Sequence, residues 1–145
     1  MDVSSQRERI QIRKQLLKEI TILKDRRGFL RAGKQTFNRL FGRDSLIVAW
    51  QLLDWNPGIC KATLEVLSQE QGKVFHDERE EEPGKILHET DFDSKWHPDG
   101  LFPFPYYGSV DSTPLFLIVF AFYHKKTKDR KFLENHWENI LMALH

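Results

Sequence analysis

The sequence predicts an all-α domain of helical hairpins in two layers, and three observations carry that reading. Leu46, Ile47, Val48, Ala49, Trp50, Leu52 and Leu53 leave almost no polar side on a helix, and the nine residues Leu115 to Tyr123 repeat the pattern. A helix that is apolar all round has to be covered on all sides. Each of these runs is followed by an amphipathic stretch, and the two pairs are separated by some forty residues without helical period. Buried helix, amphipathic helix, loop, buried helix, amphipathic helix is the pattern of an inner and an outer layer.

The elements follow in order. Ile10, Leu16, Leu17, Ile20 and Leu23 recur at helical spacings among charged residues, so Arg7 to about Asp25 is an amphipathic helix inside an N-terminal section 1–27. From Gly28 to Gly42 glycines interrupt the period, and Phe29, Leu30, Phe37, Leu40 and Phe41 anchor a loop. Asp44 or Ser45 can cap the first apolar helix, which extends to about Trp55. Asn56 then Pro57 starts the next helix, and Gly72 is placed to stop it near Gln71. Between Lys73 and Thr113 the large apolar groups Ile86, Leu87, Phe92, Trp96 and Phe104 argue for an ordered loop packed over the body. Thr113 and Pro114 open the second apolar helix, and a single amphipathic helix after Asp129 carries Phe132, Leu133, Trp137, Ile140 and Leu141.

Composition bounds the function classes. A chain of 145 residues with 40% hydrophobic and 12% aromatic content is one globular domain with a real core. Its longest apolar run is far shorter than the roughly 20 residues of a membrane span, so no membrane association is expected. The N-terminal residues lack the apolar core of an export signal, and the one cysteine, Cys60, has no internal partner. A cytoplasmic location is expected, with Cys60 a small core residue. The formal charge of +1 hides an asymmetry: Met1 to Arg43 holds twelve Lys and Arg against four Asp and Glu, while Glu70 to Lys95 holds four against nine. The two sections can attract each other. Because acidic residues interrupt the basic section, a solvated helix face is preferred to a nucleic-acid surface. No cofactor is indicated, and His76, His88 and His97 lack metal-ligand spacing.

The candidate chemistry sits at the helix starts. Arg43, Asp44 and Ser45 precede one apolar run; Asp111, Ser112 and Thr113 precede the other. Parallel inner helices would present both N-termini on one face. Helix dipoles favour acids there, so Asp44 and Asp111 fit capping. They also fit sugar recognition, because an adjacent arginine and aspartate supply the paired donors and acceptors that hold a sugar ring. In the loop, Lys85, His88 and Glu89 lie within five positions, and Glu89 is the candidate general acid or base; a solvated acidic face with a surface His88 is the other reading. Trp96, Tyr106 and Tyr107 fit either sugar stacking or the core.

The strings FGRDSLIVAWQLL, EEEPGKILHE and YYGSVDSTPLF resemble, in order and spacing, the glycogen-debranching-related proteins of bacteria and archaea, which belong with the amylo-alpha-1,6-glucosidase and glucoamylase-like glycosidases. The resemblance covers about Gly28 to Leu144. It implies part of an (α/α)6 six-hairpin barrel over 28–145, with about two and a half hairpins and one long ordered loop. It also implies that Arg43 and Asp44 grip the sugar at the cleavage position, with Lys85, Glu89, Tyr107 and Asp111 as further substrate contacts. The partner implied is an alpha-glucan or maltooligosaccharide. Inverting glycosidases of this kind need an acid and a base about 6.5 to 9.5 Å apart, and in the resembling enzymes both would fall beyond His145. Twelve helices of ~12 residues with connections of ~5 need upwards of roughly 200 residues.

Three functions follow as expectations. The first is a section of an inverting amylo-alpha-1,6-glucosidase that does not hydrolyse glucan unaided. The second is a non-catalytic glucan-binding or structural module. The third, less favoured, is a basic helical nucleic-acid partner using Arg7 to Arg31. The apolar helices also lead one to expect a homo-oligomer, or a second chain that completes the barrel.

Overall fold

A computed structural model describes residues 3–145, with side chains from Gln6 onward. The described residues form helices α1 (Val3–Leu23), α2 (Gly42–Gln51), α3 (Pro57–Gln69), α4 (Ser112–Thr127), α5 (Arg130–Asn135) and α6 (Trp137–Ala143), with one small antiparallel sheet. The fold is mostly helical, as the two apolar runs require. The sheet pairs β1 (Leu40–Phe41) with β2 (Glu89–Thr90), Leu40 opposite Thr90 and Phe41 opposite Glu89. Two-residue strands carry no alternation, so nothing in the sequence marks them.

The core forms between α2, α3 and α4, where Leu46, Ala49, Leu64, Leu67, Phe116 and Val119 are closed off from solvent. Helices α2 and α4 run parallel. Arg43 meets Asp111 at their starts, Trp50 stacks on Phe122 midway with ring centroids 5.3 Å apart, and Asp54 pairs with Lys126 beyond the end of α2. Between the two starts lies the segment Ile86–Glu89, with Ile86 and Leu87 fully buried. The Ile86 amide donates to Thr113 Oγ1 at 2.9 Å, and the Gly42 amide donates to the His88 carbonyl at 2.8 Å. Gly42 fits there because it has no side chain: a Cβ would run into the Leu87 carbonyl oxygen and reach 3.0 Å from Ser112 Oγ.

Buried polar pairs join distant parts of the chain. Arg39 Nε donates to Glu89 Oε2 at 2.5 Å, and Arg39 Nη2 lies 3.0 Å from His97 Nε2. This joins the basic N-terminal section to the acidic loop, as the charge asymmetry anticipates. The Gln71 amide donates to the Gly84 and Asn139 carbonyls, and Asn139 Nδ2 returns a bond to Gln71 Oε1 at 2.8 Å. These bonds bolt α6 to the end of α3. Cys60 is fully buried, and desolvation pushes its thiol up to about 12, which suits a packing group.

Several local expectations are corrected. Neither Asp44 nor Ser45 caps α2; the helix starts at Gly42 behind Phe41, and Asp44 falls in its first turn. Ser45 Oγ instead donates to the Leu30 carbonyl at 3.0 Å and fixes the preceding loop. α2 ends at Gln51 in a tightened turn, since the Leu53 amide turns to the Trp50 carbonyl. α3 likewise closes at Gln69. The last helix is broken at His136 into α5 and α6. The His136 ring is buried, with Nδ1 2.9 Å from the Phe132 carbonyl and Nε2 3.2 Å from Glu65. The apolar helices are not covered all round either: Trp50, Ile118 and Phe122 are exposed, as is Phe37 in the loop before β1. Among the described residues no helix is long and apolar enough to cross a membrane.

The contact at Gly42 gives a direct prediction. Gly42→Ala places a methyl group against the Leu87 backbone and should cost about 1–3 kcal/mol of stability, read as a lower urea midpoint. An unchanged midpoint would mean that the loop segment does not sit against the start of α2.

Candidate functional site

Because α2 and α4 start side by side, the residues around their first turns converge on one surface. An open cleft of about 340 Å³ lies there, lined by Arg43, Glu80, Lys85, His88 and the loop 108–111. Arg43 Nη1 lies 3.4 Å from Asp111 Oδ2, with both side chains partly exposed. Ser109 Oγ donates to Asp111 Oδ1 at 2.7 Å and sits 2.9 Å from Ser112 Oγ, so the carboxylate is held from two sides. On the opposite wall Tyr106 donates its hydroxyl to Glu80 Oε1 at 2.7 Å, and Lys85 Nζ donates to the Glu80 carbonyl at 2.9 Å. Gly108 lets the loop cross the Tyr106 ring, because a Cβ at 108 would collide with the ring and its hydroxyl. His88 is fixed by the edges of Phe41 and Tyr106, at centroid distances of 5.8 and 6.0 Å.

The six candidate residues separate into two groups. Arg43, Lys85 and Asp111 come together in the cleft. Asp44 touches Arg43 at 3.8 Å, but it lines a different hollow with Leu23, Leu30 and Ile47. Glu89 is buried, bonded to Arg39, and outside the cleft lining. Tyr107 belongs to the core: its hydroxyl donates to the Glu70 carbonyl at 2.7 Å, and burial pushes its phenol well above the usual range. Of the aromatic candidates, Tyr106 stacks on Phe102 with centroids 4.0 Å apart, while Trp96 stands exposed.

Glu80 and Ser109 join the cleft although no motif in the sequence marks them individually, and His88, grouped in the sequence with Lys85 and Glu89, lines it too. Glu80 lies in a run of three glutamates, and only the left-handed backbone at that position, φ 50°, marks it apart from its neighbours. A second polar cleft, of about 160 Å³, lies between 25–31 and 90–93. Arg27 there rests on the Phe92 ring and pairs with Asp25, and Arg39 is taken up by Glu89. Among the described residues no three His, Cys, Asp or Glu side chains converge to hold a metal ion.

The chain matches no family model and no curated protein. What the site can do therefore rests on its geometry. It offers fixed donors at Arg43 and Lys85, fixed acceptors at Asp111 and Glu80, and an imidazole, all on an open surface that a neutral polyhydroxy ligand can reach. Charge-assisted bonds of this kind are about twice as strong as neutral ones.

Asp111 provides a titration handle. The Ser109 hydroxyl, and then Arg43, lower its pKa below 3.8. With a depressed folded value, the stabilisation is fully present above 3.8 and is lost as pH falls through the lowered value. In Ser109→Ala, the Asp111 carboxyl midpoint followed by NMR should move up towards 3.8. A midpoint unmoved by that change would mean that Ser109 does not hold the carboxylate.

Proposed function

We propose that this chain binds alpha-glucans, holding a glucose unit in the cleft at the paired starts of α2 and α4. The observation that carries the proposal is the meeting of Arg43 and Asp111, 68 residues apart, at 3.4 Å on an open surface. A cation and a carboxylate side by side offer a sugar diol a donor and an acceptor, and Lys85 and His88 extend the polar lining. The segments that build the cleft are the ones that resemble debranching-type glucosidases, FGRDS, EEEPGKILHE and YYGSVDSTP. The parallel pair α2 and α4, with α3 and α6 packed against it, fits the inner and outer layers of a partial (α/α)6 barrel.

Hydrolysis is assigned to groups other than those lining this cleft. An inverting mechanism needs one carboxyl free to protonate the leaving oxygen and another free to activate water. The two carboxylates here are engaged, Glu80 by Tyr106 and Asp111 by Ser109 and Arg43. Glu89, the candidate acid, faces Arg39. The chain is thus read as a grip on glucan, without the groups that cut it.

Calorimetric titration with maltotriose tests this reading. Arg43→Ala and Asp111→Asn should each weaken binding by about tenfold to a hundredfold, the loss expected for one charge-assisted hydrogen bond. Asp44→Asn should change it far less, and the protein should release no glucose from maltooligosaccharides. Maltotriose binding to Arg43→Ala at wild-type affinity would sink the assignment.

A further inference from the structure

Away from the cleft, two exposed surfaces are complementary to each other. The first belongs to α1. From Gln6 to Glu19 every residue of this helix is exposed, including Ile10, Ile12, Leu16 and Leu17. Most helical stability comes from packing an apolar face, and over this length α1 has little beyond the approach of Leu16 and Leu17 to Leu52 and Trp55. Where it nears the body, Leu16, Leu17 and Ile20 face Leu52 and Trp55 across an almost wholly apolar groove of about 210 Å³. Arg13 stands at its edge, and Lys14 and Lys18 lie on the same helix; the three have no ion-pair partner among the described residues. The groove is apolar inside, with the cationic Arg13 at its edge.

The second surface is its opposite in charge. Phe75 is 79% exposed and Val74 beside it is also exposed, followed by the exposed acids Asp77 and Glu78, which have no ion-pair partner among the described residues. The backbone under them is nevertheless held. Glu81 Oε1 accepts from the Lys73 amide at 2.9 Å, the His76 amide donates to the Glu81 carbonyl at 3.0 Å, and Arg79 pairs with the Glu81 carboxylate. An aromatic ring displayed on a fixed backbone loses little freedom when it docks.

We propose that the chain associates head to tail with a second copy of itself, Phe75 and Val74 of one copy entering the α1–α2 groove of the next. Asp77 and Glu78 then meet Arg13 at the edge of the groove. Charge decides this pairing: two copies of α1 laid together would set basic residues against basic residues, whereas the acidic knob neutralises them. The contact joins different surfaces of the two copies, so it builds a closed ring or an open chain. None of these residues lines the sugar cleft, and the inference stands independently of the glucan reading.

Size-exclusion chromatography with light scattering over a range of concentrations tests it. Wild type should form higher species as concentration rises, and salt should weaken them. Phe75→Asp and Leu16→Asp, both at exposed positions, should each keep wild-type helix content by circular dichroism and raise the dissociation constant about tenfold or more. Mixed together, the two variants still possess one intact knob and one intact groove, so they should form a one-to-one pair and nothing larger. Wild type that stays monomeric throughout would overturn the proposal. So would a mixture that fails to associate, or oligomers that neither substitution affects, since these place the contact elsewhere. If Phe75→Asp alters the helix content, Phe75→Ser gives the same readout.

Discussion

The structure depends on the insertion of Ile86–Glu89 between the first turns of α2 and α4. Two hydrogen bonds from opposite sides hold this segment, one at Gly42 and one at Thr113, and its apolar pair fills the gap between the helices. Once it is in place, three things follow. The helices must run parallel with their starts level, the strand β2 meets β1, and the loops on either side of the segment are brought to the same surface. The polar groups of the cleft come from this segment, from the first turn of α2 and from those loops.

This explains why the cleft is polar and open while the region below it is closed. Loops at helix starts carry unpaired backbone donors and short polar side chains, and here Ser109, Asp111 and Tyr106 order them. The acids on that surface are consistent with the helix dipoles, but the Asp111 side chain does not cap α4: it stands at the N-cap position without a cap hydrogen bond and bonds Ser109 and Arg43 instead. Its carboxylate sits in front of α4, with Oδ1 held by Ser109 and Oδ2 beside Arg43 on a partly exposed surface. Asp44 is turned aside because α2 begins three residues earlier than an Asp44 cap would require, which rotates that side chain towards Leu30 and Ile47.

Much of the architecture is legible in the sequence because it is written in local periodicity. The apolar runs at Leu46 and Leu115 identify α2 and α4, Asn56 with Pro57 marks the start of α3, and Cys60 is recognisable as core. The fates of Glu89 and Tyr107 are not legible. Each is decided by a partner far along the chain, Arg39 at 50 residues and the Glu70 carbonyl at 37, and nothing local distinguishes a buried, paired glutamate from one in a site. The exposure of Trp50, Trp55 and Phe122 has the same origin. An apolar run shows that a helix has apolar sides; it does not show which sides find cover. In this chain the uncovered ones lie on α1, the end of α2 and the outer side of α4.

The central claim is that sugar is held where the two helix starts meet. Backbone amide chemical shifts of isotopically labelled protein, followed during titration with maltotriose, test it most directly. The account predicts saturable shifts concentrated at Arg43, His88 and residues 108–111, with the amides of Arg27 to Arg31 unmoved. Shifts centred on the 25–31 and 90–93 cleft, or none at saturating sugar, would contradict it.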